Sequence, residues 1–412
     1  MTQYTVYQRS KDFLTHNAIF LRQNYTQKIK DYSDSLNIII LEWQRRVWKS
    51  YAILWFLQQY NISLDTVFYL NKEFDIYDEI ANKQDLNLLF ETVNKNKSIE
   101  YIIIDEIQMI LYREKFIISM YAQKKYKIII TGSNATLLSG EFATLLTGRY
   151  MTIHILPFSY NEFLLLKQST NDKDSFIEYI TYGGMPEVLL LSNNDLKNNY
   201  IKNTLNSIFL KDIVSRFTIR NIKLLEKILQ FLQSEVWGIV SITNIHRYIA
   251  HIFKKEISLT TISNYLGYLT YPYLVNEVSR YDIKWKKILD YTGKYYFSDI
   301  GIRNSNGFIF SQDIGKILEN LVYIKLIAQW YTVYIGDLSW KEIDFIAEKW
   351  WERVYIQVCY LLSSEAVIQR EFWNLLSISD NYPKIVVSMD DTFWNTFQWI
   401  QSMYILDFLT KD

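Results

Sequence analysis

Cysteine is almost missing from this 412-residue chain: Cys359 stands alone, which rules out an intrachain disulfide and any zinc site built from several thiolates. That usage suits a reducing cytosol. The 4 histidines are scattered, without the spacing of metal ligands. Net charge is also lacking: 44 basic and 44 acidic residues cancel, so any contact with nucleic acid or membrane has to come from a local patch. No apolar run approaches the length of a membrane span, and the polar segment 1–17 has no signal-peptide core. Glycine is short as well. It makes up 12 of 412 residues, about 3%, where roughly 7% is usual. None precedes Gly132, although a folded segment of that length needs turns of positive φ. Tryptophan, also 12, is over-used.

What is present is an ordinary globular content, 49% apolar, over a length that suits two or three domains. A basic and polar helical lead-in occupies residues 1–30. Then short apolar runs alternate with helical stretches: Asn37–Leu41, Val67–Leu70, Tyr101–Asp105 and Lys127–Thr131. Continuous apolar strands separated by helices predict a parallel sheet covered on both faces. Residues 160–235 read as helical, interrupted at Gly183-Gly184-Met185-Pro186, a helix stop followed by a start. Beyond 236 the order is helix, turn, helix and then two strands, near 274–281 and 288–297, the outline of a winged helix. From Asp313 a last unit follows, with a helix, three strands, another helix and the strand Lys384–Ser388.

The first strand runs into Trp43-Gln44-Arg45-Arg46-Val47-Trp48-Lys49-Ser50 and then a helix. This is the G-x-x-x-x-G-K-[ST] spacing of a P-loop with both glycines replaced by tryptophan. Lys49 is placed to reach the β- and γ-phosphates of ATP and Ser50 to hold Mg²⁺, with backbone N–H groups of residues 43–50 around the anion. The strand Tyr101–Asp105 ends in Asp105-Glu106, where Asp105 supports Mg²⁺ and Glu106 activates the attacking water. A further strand ends in Thr131-Gly132-Ser133-Asn134, where Ser133 and Asn134 are placed to sense the γ-phosphate. Three such strand ends meet at one edge of a parallel sheet, where these folds bind ligands.

Together with Leu137–Glu141, Leu146–Tyr150, Pro157–Phe163 and Tyr182–Glu187, these segments resemble a large prokaryotic family of AAA+ ATPases that carry a C-terminal restriction-endonuclease-like domain. The resemblance runs from about residue 37 to 408. It implies an α/β fold with a P-loop NTPase core at 31–165, a helical lid at 166–235, a winged helix at 236–305 and a small nuclease-like domain at 306–412. It also marks Arg149 for sensing or completing the nucleotide site. The implied activity is ATP hydrolysis driving a switch that acts with DNA or a protein partner. A non-hydrolysing, nucleotide-gated scaffold or DNA-binding protein is the alternative, and self-association stays open. In 245–297 eight basic residues outnumber four acidic ones, and Lys284, Lys286 and Lys287 at the hairpin tip are the DNA-contact candidates. The restriction-endonuclease-like site normally takes a helix carboxylate, a strand Asp and Glu-x-Lys. Here Glu319 and Asp344 match, but Gln357 and Cys359 replace the last pair, so this domain is expected to be inactive.

The tryptophans depart from the family pattern in one direction. Trp43 and Trp48 occupy P-loop glycine positions, Trp285 a hairpin tip, Trp350-Trp351 a strand turn, Trp330 a helix end and Trp340 another turn; Trp55, Trp237, Trp373, Trp394 and Trp399 also fall where glycine is common. Reading them as UGA codons that the source organism decodes as glycine gives 12 + 12 = 24 glycines, about 6% and near the usual value. The alternative is a Trp-rich chain with a blocked phosphate site. A peptide mass spectrum of the natively expressed protein across residues 43–55 is expected to show glycine at 43 and 48; tryptophan there would refute the recoding.

Overall fold

Three isoleucine runs build the first sheet. Ile38–Ile40, Ile102–Ile104 and Ile128–Ile130 are all buried, each side chain contributing roughly 1.5–3 kcal/mol of burial free energy. They lie on β1 (Ile38–Glu42), β3 (Tyr101–Asp105) and β4 (Lys127–Gly132), joined by β2 (Val67–Asn71) and β5 (Tyr150–His154). The order is β2-β3-β4-β1-β5 with every pairing parallel, as the apolar runs predicted. This computed structural model describes residues 22–35, 37–95, 97–132, 141–234, 242–254, 257–307, 310–339, 341–362, 364–391 and 396–411. The chain divides into two units, Met1–Leu156 and Pro157–Asp412. In the first, α1 (Gln23–Asp34) packs on β1, β4, β5 and α2 (Lys49–Gln59), while α3 (Lys83–Asn94) and α4 (Arg113–Ala122) pack together over the other face. Asn82 and Asp85 form a capping box that fixes the start of α3. Residues 1–21 of the expected lead-in lie outside the described residues.

The second unit opens with a second capping box, Ser159 with Glu162, starting the helix Tyr160–Lys167. The helix α5 (Lys173–Tyr182) stops at Gly183, whose φ is +76°, and Pro186 begins the short helix Pro186–Leu189. Gly184 admits no side chain, since a Cβ there would sit 2.0 Å from the Phe158 carbonyl oxygen. Its own carbonyl accepts from the Phe158 N–H at 2.8 Å, and its N–H donates to Asp299 Oδ2 at 2.8 Å. Asp299 also accepts from the Ile302 N–H, capping the helix Ile300–Arg303. The motifs at 157–163 and 182–187 thus form one interlocked joint with residues 299–302.

Helices α6 (Asn194–Ser207), α7 (Ile222–Ser234), α8 (Ile242–Phe253) and α9 (Leu259–Thr270) follow, the last three packed on one another. A hairpin of β6 (Val275–Asp282) and β7 (Lys287–Phe297) comes next, then β8 (Thr332–Leu338), β9 (Lys341–Lys349), β10 (Glu352–Val358), β11 (Lys384–Ser388), β12 (Thr396–Phe397) and β13 (Ile400–Tyr404). The helix–helix–hairpin order falls where the sequence pattern put it, but the hairpin is not a free wing. Arg280–Asp282 pair in parallel with Ile335–Asp337, which joins it to a single eight-stranded sheet, β12-β13-β11-β10-β9-β8-β6-β7. Hydrogen bonding therefore crosses the expected division at 305/306, because β8 continues to Leu338 and offers its free edge to β6. Helix α10 (Phe310–Ala328) lies across β7 to β10, and α11 (Glu365–Leu376) makes the crossover between the parallel β10 and β11.

Burial pushes the Asp299 carboxyl up to about 6, against the hydrogen bonds from Gly184, Ile302 and Gly301 that lower it. The unfolded carboxyl titrates near 3.9. Between roughly pH 4 and pH 6 the folded chain therefore holds the extra proton, and stability falls as pH rises through that window. In urea unfolding, the stability difference between wild type and Asp299→Asn is expected to shift by a few kcal/mol across that window, on the order of 1.4 kcal/mol per pH unit at most; a pH-independent difference would refute it.

Candidate functional site

Parallel register fixes which side chains share the sheet's C-terminal edge. Glu42 is beside Gly132, Asn71 beside Asp105, and Ile104 beside Ile130. The turn after β1, the Asp105-Glu106 pair and Thr131 are consequently neighbours. The chain passes from β1 to α2 through residues 43–48, and Arg46 (φ 64°) and Trp48 (φ 61°) take left-handed backbone to do so. Non-glycine residues rarely adopt that region. The Trp48 ring is drawn along α2, its centroid 4.8 Å from Tyr51, and the Trp43 ring rests 5.1 Å from His154. His154 Nε2 is in turn 3.0 Å from the buried Glu42 carboxylate.

Lys49 begins α2 and is buried. Its ammonium donates to the carbonyl of Gln44 at 3.0 Å and of Trp43 at 3.4 Å, and lies 4.0 Å from Glu106 Oε1. Desolvation pulls its pKa below the ordinary value, against the pull of Glu106 and Asp105. The buried Asp105 accepts hydrogen bonds from Thr131 Oγ1, from Asn71 Nδ2 at 3.2 Å and from Tyr69 OH at 3.4 Å, and Ser50 also hydrogen-bonds it. Burial, then the neighbouring Glu106 charge, push this carboxyl up to about 6. Glu106 sits at φ 52°, another left-handed non-glycine of the kind that gathers at functional sites. Its N–H donates to Thr131 Oγ1 at 3.0 Å and its carboxylate accepts from Gln108.

These donors suit a Mg²⁺–nucleotide: a hydroxyl at a helix start, a buried carboxylate bonded to it, and an ammonium resting on carbonyls of its own loop. Lys49, Ser50, Asp105 and Glu106 are brought together as the motif spacing predicted. Thr131 is an addition. It ties Asp105 to Glu106, and its signal was the strand register, which a motif scan does not use. Ser133 and Asn134 lie outside the described residues. Arg149 is not brought to this edge. It precedes β5, its carbonyl accepting from the Ile38 N–H at 2.9 Å, so it stands at the opposite, N-terminal end of β1. In the second unit Lys284, Lys286 and Lys287 are exposed at the β6–β7 turn.

Relatives give this arrangement a family. A family model described as an AAA domain matches residues 35–164, and one described as a domain of unknown function (DUF8612) matches 173–312. An uncharacterised protein of Haemophilus influenzae is 34% identical over 402 residues, covering 96% of this chain and 99% of its own. The chain belongs to this family of AAA+ P-loop ATPases. An uncharacterised protein of Methanocaldococcus jannaschii is 32% identical over 317 residues, 73% of this chain and 69% of that one. Among solved structures, the Walker-type ATPase of Pyrococcus abyssi aligns with a TM-score of 0.46 at 15% identity, over 70% of this chain and 95% of that one. Among the described residues of this AAA+ protein no helix is long and apolar enough to cross a membrane.

Because the loop backbone at Trp48 is left-handed, glycine is the residue that relieves it. A chain with tryptophan at 43 and 48 is expected to bind a fluorescent ATP analogue at least about tenfold more weakly than one with glycine at both, a difference of roughly 1.4 kcal/mol or more. Equal affinity would show that the indoles leave the phosphate space open.

Proposed function

We propose that this protein binds Mg²⁺–ATP at residues 43–50 and hydrolyses it, using the cycle to move attached segments against a DNA or protein partner. The observation that carries the reading is the convergence of Lys49, Ser50, Asp105, Glu106 and Thr131 on one edge of the parallel sheet. Lys49 leaves the carbonyls of Trp43 and Gln44 and turns its ammonium to the β- and γ-phosphates. Ser50 and Asp105 hold Mg²⁺, and Thr131 keeps the Asp105 carboxylate aimed at Ser50. Mg²⁺, when bound, draws charge from the phosphate oxygens. Glu106, 4.0 Å from the resting Lys49 ammonium and positioned by Gln108 and Thr131, takes the proton from the attacking water. Ser133 and Asn134 follow β4 directly and are proposed as γ-phosphate sensors. Arg149, at the far end of β1, is not assigned to this chain's own site.

Native glycine at the tryptophan positions belongs to the same reading. Trp48, Trp330 and Trp350 all carry left-handed backbone, with φ of 61°, 69° and 53°, in three unrelated turns. Trp237, Trp340 and Trp394 lie outside the described residues. For the partner, the exposed face of α9, with Thr260, Ser263 and Asn264, and the lysine tip at 284–287 support a DNA contact of backbone-plus-groove type.

In the chain with glycine at 43 and 48, Lys49→Ala is expected to abolish nucleotide binding. Glu106→Gln is expected to keep binding and lower turnover at least about 100-fold. ATP binding without any turnover in the parent chain would favour the nucleotide-gated scaffold, and unchanged turnover in Glu106→Gln would remove Glu106 from the mechanism.

A further inference from the structure

The buried charge cluster under α10 departs from what a restriction-endonuclease-like site requires. Glu319 on α10 and Asp344 on β9 stand where the fold's metal-binding carboxylates are expected. The remaining positions do not fit a metal. Gln357 on β10 turns its carbonyl oxygen to the Asp344 N–H at 3.4 Å, and Asp344 Oδ2 is held by the Val358 N–H at 2.8 Å. Cys359 is buried, and that burial pushes its thiol up, away from a metal-binding thiolate. Among the described residues no group of three acidic, histidine or cysteine side chains is arranged to hold a metal ion.

A cation is nevertheless present, and the protein supplies it. Lys294, on β7, is fully buried, and its ammonium lies 2.8 Å from Glu319 Oε1, 2.7 Å from Glu342 Oε1 and 3.9 Å from Asp344 Oδ1. The Tyr296 hydroxyl donates to the same Glu319 oxygen. Three carboxylates from two elements thus converge on one nitrogen that comes from a third. An unpaired buried ammonium or carboxylate is costly, so each side of this cluster requires the other. The lysine that the Glu-x-Lys position lacks is not restored as a catalytic group facing water, because Lys294 has no exposed surface and is spent on the carboxylates.

We propose that the Lys294 ammonium occupies the place of the divalent cation in this unit, so that the β6–β7 hairpin is locked to α10 and β9 by an internal counter-ion and the unit works without a metal. The cluster is a structural lock between the hairpin and the nuclease-like strands, not a phosphodiester-cleaving site.

The test is Mn²⁺ binding to the full chain without nucleotide, followed by water-proton relaxation, with thermal unfolding in parallel. Wild type and Asp344→Asn are expected to give the same Mn²⁺ titration. Lys294→Met empties the central position and is expected to gain a Mn²⁺ site at least about tenfold tighter than anything in wild type. That site is expected to vanish in Lys294→Met/Asp344→Asn, and Mn²⁺ is expected to raise the unfolding temperature of the single variant only. A wild-type Mn²⁺ site lost in Asp344→Asn would overturn the proposal, as would a folded Lys294→Met that gains none. Should Lys294→Met fail to fold, the wild-type and Asp344→Asn titrations decide alone.

Discussion

The candidate site of the first unit depends on six residues turning β1 into α2 at the edge of a parallel sheet. A helix that starts directly behind a strand end presents its N–H groups and its positive end to whatever lies in front of that edge. The turn has to be short, and its backbone has to enter left-handed space at Arg46 and Trp48. The isoleucine strands give the turn a rigid base, and the register of β1 beside β4 and β4 beside β3 then delivers Thr131, Asp105 and Glu106 to the same place. Lys49 is held in a spring-like resting state on the turn's own carbonyls. Its burial costs free energy that Glu106, at 4.0 Å, offsets only in part.

The family-like segments Pro157–Phe163 and Tyr182–Glu187, with the buried Asp299 they meet, serve a different purpose. Pro157–Phe163 is a capping box, Tyr182–Glu187 a glycine stop and proline start, and Ser298–Ile302 the buried carboxylate that accepts from the Gly184 and Ile302 N–H groups. Each demands a residue type for a steric or hydrogen-bonding reason. Gly184 has the Phe158 carbonyl against it, and Asp299 is needed at the start of Ile300–Arg303. Such a joint places the helices that follow it, so a recurring motif here reports architecture and not chemistry. The match of one domain of unknown function across 173–312 spans this joint and the helix–helix–hairpin region together.

Legibility in the sequence followed the range of the interaction. The strands of the first sheet were readable because a parallel strand buried on both faces leaves an unbroken apolar run. Lys49 with Ser50, and Asp105 with Glu106, were readable because the spacing within each motif is local. Thr131 was not, because its bond to Asp105 comes from strand register between segments 26 residues apart. Arg149 is the reverse case. Its position in a motif suggested the nucleotide, whereas the direction of β5 carries it to the other end of the sheet. The continuation of the β6–β7 hairpin into the C-terminal sheet was likewise hidden, since a parallel pairing between Arg280–Asp282 and Ile335–Asp337 leaves no trace in either hydrophobic pattern.

Lys294 and the tryptophans show two kinds of departure from a family pattern, and the physical surroundings separate them. At Gln357 and Cys359 the loss of a carboxylate and a lysine is matched by a gain nearby. Lys294, from a different strand, pairs with Glu319 and Glu342 and lies 3.9 Å from Asp344. Trp48, Trp330 and Trp350 are a different case. The backbone keeps the left-handed geometry that suits glycine, and Trp350 is almost wholly exposed, with 87% of its surface open. Trp351 beside it is 95% exposed, a placement that packing does not explain. That contrast is what supports the reading of these positions as glycine in the native protein.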